Sequence, residues 1–313
     1  MRIVFLGNFR PSHSTESHVS ATYELLGHEV VRLQEDTTPK HTIPALCEGA
    51  DVFHWTDTWH SDYDGGFKAL EALRRMGIPS IGHTLDLFVG LEREKLLDVD
   101  PWFLTDYFFS PDGGHPALFA AKGINHHWMP PGCFEPECYL AEPVPELVQD
   151  LAFVGSRGYH PEYGHRPQLI EWLQKTYGSR FTHYDHGSKM RGHRLNQLYA
   201  SAKVVVGDSC LLEGQEKYSS DRIPETLGRG GFLLHPEVKR VTDGGLYTNE
   251  VHLITWRLGE WEILRRTIDF YLDWPEDRER IRRAGHAHVK AHHTYTNRVK
   301  AMLEIVAMGE GRA

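Results

Sequence analysis

Long apolar runs, paired cysteines, a dinucleotide fingerprint and internal repeats are all missing from this 313-residue chain, and each absence closes off a class of function. No stretch approaches the roughly 20 apolar residues of a membrane-spanning helix. Met1-Arg2-Ile3 leads straight into a strand pattern rather than a signal peptide, so a cytoplasmic protein is expected. The four cysteines, Cys47, Cys133, Cys138 and Cys210, show neither CxxC nor zinc-like spacing and read as ordinary reduced thiols. The first strand is followed by GNFRPS where a nicotinamide enzyme would carry GxGxxG, which disfavours that class. The 21 histidines invite a metal reading, yet no HExxH is present. His288 and His292 stand at i, i+4 without a third ligand, so a solvated helix face is the expectation and no metal is assigned.

Basic charge is scarce in one half only. Residues 1–150 hold 10 Lys and Arg against 23 Asp and Glu, whereas the remainder holds 24 against 20. The acidic first half would repel nucleic acid or an anionic membrane, and the mildly basic second half suits an anionic nucleotide.

What is present is alternation. Arg2–Leu6 is a continuous apolar run, as a strand buried on both faces requires. A helix pattern from Thr15 to Leu26 stops at Gly27, and strands follow at 29–33, 51–55, 78–81 and 107–110. A clear helix pattern runs from Phe67 to Met76 and closes at Gly77. After a Pro- and Gly-rich linker, 129–145, the pattern restarts: strands at 151–154, 180–184 and 203–206, one at Phe232, a short one at 252–254, and a helix from Gln168 to Tyr177. Residues 260–308 read as largely helical, broken at Pro275. The length and the two alternating sets predict two α/β domains, 1–140 and 141–313, each a Rossmann-like, doubly wound parallel sheet. Ligands of such sheets bind at the carboxyl ends of strands, so the loops just after strands supply the candidates.

The most informative stretch is YSSDRIPETLGRGGFLL, Tyr218 to Leu234. Pro224 suits a first helical turn, Ser220 and Asp221 are placed to cap it, and Gly230-Gly231 ends it before an apolar strand. Glu225 beside a helix start either complements the helix dipole or binds a neutral diol next to a phosphate, such as a ribose.

E-T-L-G-R-G-G-F-L-L resembles the signature of group 1 glycosyltransferases, including their CgeB-like branch. That resemblance implies the GT-B fold: two Rossmann-like domains facing across a cleft, with a terminal helix returning to the first. It implies a glycosyltransferase that moves a sugar from a nucleoside diphosphate donor, UDP- or GDP-linked, to a hydroxyl of a small molecule or glycan. No cofactor or metal is implied beyond the donor itself. The matching Glu grips the donor ribose, which gives that role to Glu225, with Thr226 beside it. The family's second Glu would stand eight positions earlier; that position is Lys217, with Glu216 one residue out of register. Retaining, front-face transfer is the family's route, and the altered position leaves an inverting one open.

The remaining candidates lie in strand-end loops. Gly155-Ser156-Arg157, with Arg166 beyond, resembles the family's diphosphate loop, because glycine lets amides approach a phosphate and guanidinium groups hold its oxygens. A tight turn with solvent-facing arginines is the other reading. Arg222 either joins the phosphates or pairs with Asp221 or Glu225. Asp185 ends a strand beside the expected base, as does Gly207-Asp208-Ser209. In the first half, Gly7 matches a family loop where acceptor and donor sugar approach, with Asn8 next to it. His83 and Asp86 follow the fourth strand; His83 either handles a sugar hydroxyl or base catalysis, or is satisfied by backbone carbonyls. Trp55 and Asp57 either form an acceptor platform, with His54 alongside, or belong to the core. Three other functions compete: an epimerase acting on a nucleotide sugar, a silent nucleotide-sugar-binding protein, and transfer to a hydroxymethylated DNA base.

Overall fold

The computed structural model describes residues 1–158, 164–211 and 216–310. The chain divides into two compact units: Met1–Pro130 together with the closing helix Tyr295–Glu310, and Pro131–Thr294. All strand pairings within both sheets are parallel.

In the first unit the strands are β1 (Arg2–Gly7), β2 (Glu29–Gln34), β3 (Val52–Trp55), β4 (Ser80–His83), β5 (Tyr107–Ser110) and β6 (His126–Trp128). They lie in the order β2-β1-β3-β4-β5-β6. Helix α1 (Thr15–Leu25) is capped by Ser14, whose hydroxyl accepts from Ser17 N at 3.2 Å. A short helix α2 (Ile43–Leu46) precedes α3 (Tyr63–Met76), which is capped by Asp62 and closed by Gly77 at φ +71°. Helix α4 (Pro116–Ala121) leads into β6. The sequence gives no sign of β6, because His126-His127-Trp128 is neither an apolar run nor an alternation; it adds to the sheet by pairing at the edge with β5.

The second unit has β7 (Gln149–Val154), β8 (Phe181–Tyr184), β9 (Ala202–Val206), β10 (Leu233–Pro236) and β11 (Ile254–Trp256), ordered β11-β10-β9-β7-β8. Its helices are α5 (His165–Tyr177), α6 (Gly192–Ser201), α7 (Arg222–Gly228), α8 (Trp261–Asp273) and α9 (Pro275–His292); the closing helix of the first unit is α10 (Tyr295–Glu310). Alternate residues of β7 feed two separate cores. Leu151 and Phe153 pack with Leu169, Leu173 and Leu264 on one face, while Ala152 and Val154 pack with Leu198 and Leu227 on the other. This two-sided burial is why the strand reads as an unbroken apolar run. Pro275 stands at the first position of α9, where its missing N–H is harmless, and so separates α8 from α9.

Candidate functional site

The strand order of the second sheet reverses between β7 and β9, and in open parallel sheets ligands sit beyond the carboxyl ends of strands at such a switch. The loop after β7 carries Gly155, Ser156 and Arg157; the loop after β9 carries Gly207 and Asp208. Arg222, at the start of α7, joins them. Its Nε donates to Asp208 O at 3.0 Å, Nη1 donates to Val154 O, and the guanidinium lies 5.0 Å from the Phe153 ring centroid. It pairs with neither Asp221 nor Glu225, the two partners its sequence context offers. Two glycines make the slot. A Cβ on Gly155 would stand 2.7 Å from Arg222 Nη2, and one on Gly207 would stand 2.7 Å from its Cδ. Gly155 also has φ +134°, a backbone state side chains rarely adopt. Ser156 is half-buried and Arg157 exposed.

One turn along α7 is Glu225. The helix begins at Arg222 and so holds Pro224 in its first turn, as the sequence leads one to expect, but no side-chain cap bond forms at Asp221. Ser220, expected as a cap, instead bonds Ser209 Oγ at 2.7 Å. Glu225 therefore sits inside the first turn and pairs at i, i+4 with Arg229, Nε to Oε2 at 2.6 Å. Arg229 is 3 % exposed. Its remaining nitrogens bond Asn196 Oδ1 at 2.8 Å, Gly192 O at 3.3 Å and the Glu137 carboxylate. Burial works against its charge, but Glu225 and Glu137 outweigh burial and hold the guanidinium protonated more firmly than usual. Sequence reasoning missed Arg229, Asn196 and Glu137; the i, i+4 spacing of Glu225 and Arg229 was the available signal.

Arg166 is turned inward. Its Nε meets the buried Asp208 Oδ1 at 2.7 Å, and His165 Nε2 lies 3.2 Å from Oδ2. Burial pushes the Asp208 carboxyl up, but the His165 hydrogen bond and the Arg166 and Arg222 charges overcome it and hold the group below the usual carboxylate range. Thr226, expected at the donor, is fully buried against the Gly231 backbone, so its side chain serves packing. Asp185 is exposed at its strand end and accepts from His186 N at 2.7 Å. Glu216 lies at the surface, paired with Lys239 and Arg240. His288 departs from the solvated face expected of it. It stacks on His252 at 4.0 Å and bonds Leu246 O at 2.8 Å, so the ring is half-buried.

In the first unit the order reverses between β1 and β3. Gly7 ends β1, and a Cβ there would meet Glu16 Cγ at 2.8 Å. Asn8 is half-buried and accepts from Gln34 Nε2 at 3.3 Å. Trp55 is fully buried in the core with Lys40 Nζ 4.7 Å from its ring centroid, so both faces are occupied and no stacking platform is open. The Asp57 side chain is likewise covered, held between His60 N at 3.0 Å and Lys40 Nζ at 3.5 Å. His83 is 1 % exposed, and burial lowers its pKa to about 4. Its ring is therefore neutral at pH 7 and largely covered by the surrounding core. Asp86 remains accessible beside Arg93 at 3.2 Å.

The same carboxyl edge holds groups that the sequence did not single out. Asp100 Oδ2 meets His60 Nδ1 at 2.8 Å, and His60 adopts φ +47°. Asp57, His60 and Asp100 bring one ligand atom each within 4.8 Å of one another. Glu35 accepts from Thr58 N and Trp59 N with one oxygen. Burial, then hydrogen bonding and repulsion from Asp57, push its carboxyl to about 8.

A family model described as glycosyl transferase-like matches residues 140–304. No curated protein matches the chain in sequence. Among solved structures, an α-glucosyltransferase in complex with UDP and a 13-mer DNA containing an HMU base aligns at 11% identity and TM-score 0.72, covering 98% of this chain and 99% of that one. The HepE protein of Anabaena, in complex with UDP and glucose, aligns at 10% identity and TM-score 0.67, covering 98% and 100%. Sucrose-phosphate synthase from Thermosynechococcus elongatus aligns at 11% identity and TM-score 0.64, covering 100% of each chain. At such identities the likeness is one of fold: two parallel-sheet α/β units of the GT-B type.

Proposed function

This chain belongs to the glycosyl transferase-like family, its enzyme class is glycosyltransferase, and from that premise we propose that it transfers a sugar from a UDP-linked donor to a hydroxyl acceptor without a metal ion. The observation that carries the reading is that the Gly155 loop after β7 packs against Arg222 at the switch point of the second sheet, with Glu225 one turn further along α7. The loop amides at Gly155 and Ser156 and the Arg157 guanidinium receive the diphosphate. Arg222, fixed by two carbonyls, adds positive charge at the same place. As the sugar–phosphate bond breaks, negative charge grows on the leaving diphosphate, and these preorganised cations stabilise it where a metal otherwise would. Glu225 accepts hydrogen bonds from the ribose diol.

The choice of uridine is supported by the fold relatives that carry UDP, and retaining transfer by the family resemblance. Transfer to a hydroxymethylated DNA base is a second reading, favoured by the relative bound to such DNA. The acidic first half of this chain stands against it. A thermal-shift panel of UDP-, GDP-, dTDP- and ADP-glucose tests the proposal. A ligand bound only by the folded chain, at 100 times its Kd, stabilises it by about 2.7 kcal/mol. UDP-glucose raises Tm most if the proposal holds, and no shift with any of the four contradicts it.

A further inference from the structure

We infer that Arg229 is the positioning residue of the ribose site: it holds Glu225 aimed through one carboxylate oxygen, leaving the other for the ribose diol. The inference rests on the ribose role proposed for Glu225 and adds the group that makes that role possible.

A carboxylate beside a diphosphate is repelled by it, and a side chain left free to rotate would turn away from the ligand and lose the diol. A fixed cation on the side away from the ligand solves this, provided the cation is not itself taken up by the phosphates.

Arg229 meets both conditions. It is 3 % exposed, and four hydrogen bonds use all three of its nitrogens: Nε to Glu225 Oε2 at 2.6 Å, Nη1 to Asn196 Oδ1 at 2.8 Å and to Gly192 O at 3.3 Å, and Nη2 to Glu137. Asn196 is itself fixed, its amide donating to Glu137 O at 2.8 Å and Tyr139 O at 3.0 Å. The guanidinium thus ties α7 to α6 and to the segment around Glu137, all within the second unit. With its donors turned to these partners, Arg229 is poorly placed to bind a ligand directly. Glu225 keeps a 21% exposed side chain, and its Oε1 has no hydrogen-bond partner among the described residues. The bond from Nε, on a guanidinium itself fixed by three other bonds, restrains the carboxylate through Oε2 and leaves Oε1 to accept from a ligand. A lysine would supply the charge but not the same set of bonds.

Calorimetric titration of the full chain with two probes, UDP and 2′,3′-dideoxy-UDP, separates positioning from general structural support. Arg229→Ala is expected to weaken UDP at least 10-fold and to leave the dideoxy probe, which lacks the diol, within 2-fold. Arg229→Lys, which keeps the buried charge, is expected to fall between Ala and wild type for UDP and to leave the dideoxy probe unchanged. Equal losses on both probes, or no loss on UDP, overturn the inference. If Arg229→Ala does not fold, Arg229→Lys decides by the same rule: a loss confined to UDP supports it, and equal losses or none refute it. Glu225→Ala is the control on the underlying reading. If it spares both probes, the ribose role of Glu225 fails; if it weakens UDP alone while the Arg229 variants bind like wild type, only the present inference fails.

Discussion

Gly155 shows how much a single position can hold. An added methyl would stand 2.7 Å from Arg222 Nη2 on a backbone at φ +134°, so strain and collision act together. Gly155→Ala is expected to destabilise the chain by about 2 kcal/mol and to dislodge Arg222. A denaturation midpoint equal to that of wild type would show that the slot is not needed. The sequence made Gly155, Arg157, Arg222 and Glu225 visible as candidates, because they follow strand patterns or open a helix, where ligands of parallel sheets bind. It could not show that Gly155 makes room for Arg222 as much as for a phosphate, since that contact joins residues 67 positions apart. Arg166 and Thr226 misled for a related reason. Whether an arginine faces solvent or a buried Asp208, and whether a threonine faces ligand or core, depends on tertiary neighbours that no local pattern carries.

At the scale of elements, strands buried on both faces and glycine-stopped helices were legible to within a few residues. β6 and α6 were not, the first for want of an apolar pattern and the second because Gly192-His193-Arg194 opens it without a recognisable cap. The loop after β2 was the larger omission, for Glu35 there meets Asp57 only once the strands are paired. Glu35 there gives a test with a definite sign. Its folded pKa of about 8 exceeds the ordinary 4.5, so the folded chain keeps a proton that the unfolded chain releases between those values. Stability from this group is complete below pH 4.5 and drains away as pH rises towards 8. Glu35→Gln, which stays neutral, is expected to be the more stable protein at pH 8, by on the order of 1 kcal/mol, with the gap closing towards pH 4.5. Melting curves across that range check it, and a gap independent of pH would contradict the burial argument.

Over the whole molecule, the two alternating sets of strands and helices announced two parallel-sheet units, and the charge asymmetry singled out the second as the half suited to an anion. The return of α10 to the first unit rests on long-range contacts such as Tyr107 Oη to Val306 O at 3.5 Å, and only the family resemblance anticipated it. The central claim is that the second sheet's switch point is a nucleotide site, with cations on the diphosphate side and an oriented acid on the pentose side. A crystal structure of the full chain soaked with UDP tests this most directly. The account predicts the diphosphate against Gly155, Ser156 and Arg157, and a ribose hydroxyl on Glu225 Oε1. A nucleotide bound away from the ends of β7 and β9 would contradict it.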